Sequence, residues 1–236
     1  MTRVPEITAR FWVIRTMFTA ACVFWPDYLF DHLGRVVTTA GIVLALATAL
    51  VVQLRAAQYR PWRFWVAMLA VGVAGTEAAN GPHVLGMSYP IVAMVWMLIL
   101  VALVVGWQAT AGTVSLRRVD SAARERCFWA CALAAGAVGT AVTHMTPPLL
   151  ITCPGVQVLL WAGAVGGLAF AYRRTAWVSA ATFWCGFVLT RPLGTGCAFL
   201  VSAPHHGLGL GPASTTGLFA VVSLLVIGVP AVARSR

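Results

Sequence analysis

The chain has 236 residues, 60% of them hydrophobic and only 9% charged, which leaves too few charges to cover a soluble globule of 25 kDa. Its solvent must be largely lipid, and the close spacing of the apolar stretches leaves no room for a second, soluble domain. The net charge of +10 is placed in loops and tails and not as a basic face, which excludes nucleic acid as a partner.

Eight apolar stretches follow in chain order, roughly 11–30, 36–54, 62–79, 88–110, 127–145, 152–172, 176–194 and 213–232. Each approaches the ~20 residues that cross a ~30 Å hydrocarbon core. The pattern predicts an all-α integral membrane fold of eight transmembrane helices in one domain spanning residues 1–236. Phe-Trp pairs open the first, third, fifth and seventh stretches at Trp12, Trp65, Trp129 and Trp184. Fifteen places beyond each Trp stand Asp27, Asn80, His144 and Phe199, and three of the copies carry Gly-Thr at places ten and eleven (Gly75-Thr76, Gly139-Thr140, Gly194-Thr195). This periodicity predicts four helical-hairpin repeats, roughly 1–58, 59–115, 116–174 and 175–236, around a pseudo-four-fold centre.

All sixteen basic residues are Arg. Thirteen of them lie in the N-terminal tail, in the loops after the second, fourth and sixth stretches, and at the C-terminus (Arg3, Arg10; Arg55, Arg60, Arg63; Arg117, Arg118, Arg124, Arg126; Arg173, Arg174; Arg234, Arg236), while the other loops carry Arg35 alone. The positive-inside rule then puts both termini in the cytoplasm, consistent with a multi-pass protein of the bacterial inner membrane. Ala20-Ala21-Cys22 is a poor lipoprotein signal, because Arg15 and Thr19 interrupt the apolar run and Trp12 belongs to the repeat. Trp62, Trp65, Trp177 and Trp184 are expected to form an aromatic belt at the cytoplasmic boundary. The six Cys have no metal-ligand spacing and read mainly as buried small hydrophobes, with a Cys153–Cys197 disulfide a minor alternative.

On the marked helices, places 0, 7, 11 and 15 fall within about 80° of one another at 100° per residue. The stripe carries Thr19 and Asp27, Thr76 and Asn80, Thr140 and His144, and Arg191 and Thr195, with Arg15 on its border. These are the candidate residues of a central polar site: Arg15, Asp27, Thr76, Asn80, Thr140, His144, Arg191 and Thr195. Charged groups at such depth cost a few kcal/mol, so they should face the bundle interior. Glu77 is one step off the stripe and has no counterpart in the other copies. All five His lie toward the outer side, and His144, His205 and His206 are weak metal candidates without ligand pairing at helical spacing. No cofactor is implied. Gly72, Gly75, Gly136, Gly139, Gly163, Gly166 and Gly167 suggest close helix approach, and Gly207 to Pro212 suggests a flexible hairpin between two spans.

Val4-Pro5-Glu6-Ile7-Thr8, Phe11-Trp12, Arg60-Pro61 to Trp65, the Gly-Thr steps, and Thr190-Arg191-Pro192-Leu193-Gly194 followed by Gly207 to Gly211 resemble a bacterial multi-pass membrane family described as a four-fold repeat of unknown function. The resemblance covers nearly the whole chain. It implies acidic residues along the marked helices, of which this chain keeps Asp27 while the later positions read Asn80, His144 and Phe199. A ring of carboxylates suited to a hard cation is therefore degraded here.

The functional expectation is a transporter or channel-like protein for a small solute or cation, with lipid as solvent and a homo-oligomer or membrane partner in view. The alternative is a non-transporting scaffold or regulatory subunit. An enzyme is the weakest reading, since no nucleophile-base pair or His-Glu-x-x-His motif stands out.

Overall fold

A computed structural model describes residues 3–56, 58–112, 114, 119–146, 153–174, 179–205 and 207–228, with the side chains of 171–174 and 179 outside the description. The described residues form nine helices and no strand: α1 (Ala9–Ala21), α2 (Trp25–Leu33), α3 (Arg35–Leu54), α4 (Pro61–Val84), α5 (Tyr89–Ala111), α6 (Ala122–His144), α7 (Pro154–Arg174), α8 (Ser179–Ser202) and α9 (Gly211–Gly228). Five of them (α3, α5, α6, α8 and α9) are long and apolar enough to cross a membrane, and α7 contains a shorter apolar segment, Pro154–Phe170. The described residues are thus all-helical in architecture, with helices long and apolar enough to span a membrane.

The first expected span, 11–30, is broken into α1 and α2. Pro26 stands at the start of α2, where its missing N–H costs nothing. In a continuous helix the same ring would clash with the Cys22 carbonyl four residues back. With only 13 residues, α1 is about 20 Å long and falls short of a hydrocarbon core alone.

The helices sort into an inner set, α1, α4, α6 and α8, and an outer set, α3, α5, α7 and α9. α6 and α8 are 67% and 61% buried over their apolar windows, against 17% for each of α3, α5 and α9. Within the inner set α4 packs on α6, α6 on α8 and α8 on α1, with a lighter α1–α4 contact. Each outer helix packs most closely on the inner helix that follows it: α3 on α4, α5 on α6, α7 on α8, and α9 back on α1. The closest hairpins are therefore offset by one helix from the inner-then-outer pairs that the repeat boundaries predict. Side chains at the arginine-bearing end tie these packings together. Arg10 on α1 donates to the terminal carbonyls of Val226 and Ile227 on α9.

Glycine allows the closest approaches. An added Cβ at Gly75 would lie 3.2 Å from the backbone of Gly136 and Ala137, and one at Gly139 2.8 Å from the Val188 carbonyl. A Cβ at Gly194, in the third Gly-Thr step, would likewise lie 2.8 Å from the Thr16 carbonyl. Gly163, Gly166 and Gly167, expected to serve the same role, are exposed and have nothing within 4 Å among the described residues, because α7 turns that face away from its neighbours. The 207–212 segment is tied down, not loose: the N–H groups of Leu208, Gly209 and Leu210 donate to the carbonyls of Leu200, Ala203 and Val201. It thereby satisfies carbonyls at the end of α8, and Gly209 and Gly211 supply the positive φ that the turn requires.

Candidate functional site

The inner helices begin on a floor of aromatic rings. Phe11, Phe64, Phe128 and Phe183 meet in a closed circuit, with centroid separations of 6.5 Å (Phe11–Phe64), 6.1 Å (Phe64–Phe128), 6.4 Å (Phe128–Phe183) and 6.0 Å (Phe183–Phe11). Each Phe stands edge-on to the Trp that follows it in sequence. Each also touches the Trp of the next inner helix: Phe11–Trp65, Phe64–Trp129, Phe128–Trp184 and, closing the circuit, Phe183–Trp12. Because all four helix starts meet here, the four helices run in the same direction. This placement corrects the expected belt: Trp65 and Trp184 are buried within the floor, where their flat rings fill the space between helices, whereas Trp62 is exposed. Trp177 lies outside the described residues.

Above the floor lies a polar layer. Arg15, Thr19, Thr76, Thr140, Arg191 and Thr195 are all buried. The stripe therefore does face the interior for these six. Most of its hydroxyls are satisfied within their own helices: Thr19, Thr76 and Thr140 donate to the carbonyls of Arg15, Gly72 and Gly136, each four residues back. Arg191 donates through Nη2 to the Thr76 oxygen, which joins α8 to α4. The Arg15 guanidinium carbon lies over Phe187, 3.7 Å from the ring centroid, and its buried Nε has no hydrogen-bond partner among the described residues. Arg15 and Arg191 are within Coulombic reach of each other and of Cys22.

No carboxylate meets either cation among the described residues, whose two ion pairs, Arg3–Glu125 and Arg124–Asp120, both belong to the arginine-bearing end. The magnitudes decide how the layer should be read. A cation–π contact supplies about 2 kcal/mol when desolvated. Burying an ion costs several kcal/mol even after relaxation, and two like charges add repulsion. Stacking on Phe187 thus leaves Arg15 under-compensated by the protein itself.

The outer ends of the stripe do not join this layer. Asp27 is exposed on α2, because the break before Pro26 takes it off the line of α1. Asn80 is half-buried and accepts a hydrogen bond from the Tyr89 hydroxyl at 3.3 Å. His144 is exposed and stacks on Tyr89 with centroids 4.3 Å apart, while His83 stacks on the same ring at 3.9 Å. Phe199 packs edge-on against Phe24. Glu77 is half-buried, and its Oε1 is without a partner among the described residues. His205 is exposed and His206 lies outside the described residues. No group of three His, Cys, Asp or Glu able to hold a metal occurs among the described residues. All six cysteines are free thiols, and Cys185 is exposed, contrary to the expectation for buried small hydrophobes.

The residue that sequence reasoning missed is Glu125. It is 1% exposed at the first turn of α6, where an acid complements the helix dipole. Its carboxylate accepts from Gln53 at 2.8 Å, from Arg3 at 3.1 Å and, more weakly, from Trp129 at 3.5 Å. Arg3 also donates to the Leu54 carbonyl, so this acid ties the N-terminal segment to the end of α3 and the start of α6. The signal was an acid within a helix's first turn, hidden among the loop arginines that were counted for topology. A groove of about 450 Å³ between Trp107, Thr110, Asp120, Arg124 and Cys127 is also at this end and is remote from the polar layer.

Comparison with protein-family models, with curated proteins and with solved structures finds no match.

Proposed function

We propose that the protein is a multi-pass component of the bacterial cytoplasmic membrane that passes a small solute through the centre of its inner helices. In this reading it has eight spans in four diverged repeats, with both termini in the cytoplasm. The cyclic order of the Phe and Trp contacts supports the four-fold arrangement.

The observation that carries the transport reading is the polar layer itself. Two arginines and four threonines are buried among inner helices, while the outer helices present apolar faces such as Leu44, Leu98 and Leu224. A membrane protein that needed only to hold its helices together would gain nothing from two cations at this depth. The cation considered from sequence is disfavoured, because the only charges in the layer are positive. A second reading, a non-transporting scaffold or regulatory subunit, is favoured by one observation, the closed Phe floor, which seals the arginine-bearing end of the bundle.

The test is flux in proteoliposomes for a panel of alkali cations, protons, neutral solutes and small anions, with wild type, Asp27→Asn and Arg191→Ala compared. Transport predicts flux of at least one solute that falls tenfold or more in Arg191→Ala and little in Asp27→Asn, since Asp27 is outside the layer. Absence of flux for every solute, with all three proteins folded, would leave the scaffold as the better account.

A further inference from the structure

We propose that Arg15 and Arg191 form a binding site for a small oxyanion in the interior of the inner bundle. The inference rests on reading the polar layer as the place where a solute is held, and it names the class of that solute.

Three features of the layer lead to this assignment. The two guanidiniums address one wall, α4. Arg15 Nη1 is 4.0 Å from the point where a side chain on Gly72 would begin, and Arg191 bonds to Thr76, one helical turn further along. The absence of a side chain at Gly72 leaves space in front of the Arg15 guanidinium. The second feature is how Arg15 is held. Phe187 offers the guanidinium no hydrogen-bond acceptor, and the buried Nε–H has no partner among the described residues. The Nε edge of a guanidinium can pair with two oxygens of a carboxylate or an inorganic oxyanion.

The third feature is the charge of the surroundings. Every acid whose partner the structure records is committed at the arginine-bearing end, to Arg3 or Arg124. Asp27 is exposed on α2, and Glu77 has Arg35 and Asp27 as its charged neighbours, not Arg15 or Arg191. The neighbouring threonine hydroxyls have already given their protons to backbone carbonyls, so Thr76 can accept from Arg191 and fix its head group. What remains is a donor-rich, positively charged surface beside an aromatic ring.

The experiment uses the full chain in nanodiscs of neutral lipid. Thermal unfolding followed by tryptophan fluorescence is measured with sodium formate, nitrate or phosphate, against sodium gluconate at equal ionic strength. A ligand of the folded state raises the midpoint in a saturable way. Wild type should show this for at least one oxyanion. Arg15→Gln and Arg191→Gln should each weaken the apparent affinity tenfold or more, and Arg191→Lys should lie between them and wild type. Gly72→Val keeps both charges but fills the space before Arg15, and should weaken binding as well. It also covers the case in which one Gln variant does not fold.

No saturable shift for any of the three oxyanions, or a shift unchanged in both Gln variants, would overturn the site. A parallel series in discs containing phosphatidylglycerol separates the sources of the oxyanion. Loss of the salt-induced shift there, with a higher starting midpoint that needs both arginines, would place a lipid phosphate on the same donors. Binding without flux would keep the site and sink transport, whereas Arg191-dependent flux of a neutral solute with no oxyanion binding would do the reverse.

Discussion

The aromatic floor and the polar layer are built from the same four helices, the layer about one to three turns beyond the floor, and they are held together in opposite ways. In the floor each ring contacts rings of the helices on either side, so the contacts run between helices and close on themselves. In the layer three of the four threonines bond back to their own helices, and among the described residues a single side-chain hydrogen bond of the layer, Arg191 to Thr76, crosses from one inner helix to another. The floor is thus a packed structural unit, while the layer is set up by helix approach and leaves its charged groups with donors to spare. A site that must receive a solute needs the second kind of construction, supported by the first.

The largest effect should come from opening the floor. Phe64 is fully buried and touches Phe11, Trp65, Phe128, Trp129 and Tyr59. Phe64→Ala should cost about 3–5 kcal/mol, as for a large aromatic removed from a core that cannot collapse. Thr140→Val in the layer removes only a hydroxyl bonded within its own helix, and should cost about 1 kcal/mol or less. Chemical unfolding in detergent micelles would compare the two. Similar losses for both would break the distinction between floor and layer.

A smaller effect tests how the layer is assembled. At Gly194 an added methyl group would meet the Thr16 carbonyl and the Thr19 side chain within 2.8 Å, so α1 and α8 would have to move apart. Gly194→Ala should cost about 1–3 kcal/mol, the usual penalty of overpacking. Gly166→Ala on α7, with open space around it, should be close to neutral. If Gly194→Ala also weakens oxyanion binding while Gly166→Ala does not, helix approach sets the layer's geometry.

The contrast also explains what could be read from the sequence. The apolar runs marked an all-helical chain with helices long enough to span a membrane, and the Phe-Trp pairs marked the helix starts whose rings meet in the floor. The inward face of Arg15, Thr76, Thr140, Arg191 and Thr195 followed from helical periodicity. Asp27 was misplaced because periodicity was carried through Pro26, where a helix has to restart. His144, at the end of its helix, is exposed and stacks on Tyr89 of an outer helix, beyond the packed part of the bundle where helical periodicity no longer implies burial. The aromatic belt failed at Trp65 and Trp184 because a Trp near a helix start has the same sequence signature whether it meets lipid or another ring. Glu125 could not be distinguished from a solvated helix-start acid without knowing that Gln53 and Arg3 converge on it.

The smallest effect probes how dry the underside of the floor is. Tyr59, in the connection between α3 and α4, packs on Phe64 with centroids 6.0 Å apart. Burial disfavours its phenolate and pushes its pKa up to about 12, with Arg10 partly opposing the shift. In the unfolded chain the phenol should lose its proton near its ordinary value of about 10. Between these values the unfolded chain has released a proton that the folded chain keeps, so the contribution is intact below pH 10 and declines as pH rises toward 12. Tyrosinate absorbance of the folded protein should therefore contain a late step near pH 12 that is absent from Tyr59→Phe, and the variant should lose less stability over that window. A Tyr59 step at its ordinary value would mean that water reaches the underside of the rings, and the floor would then be a weaker seal than its closed circuit of contacts implies.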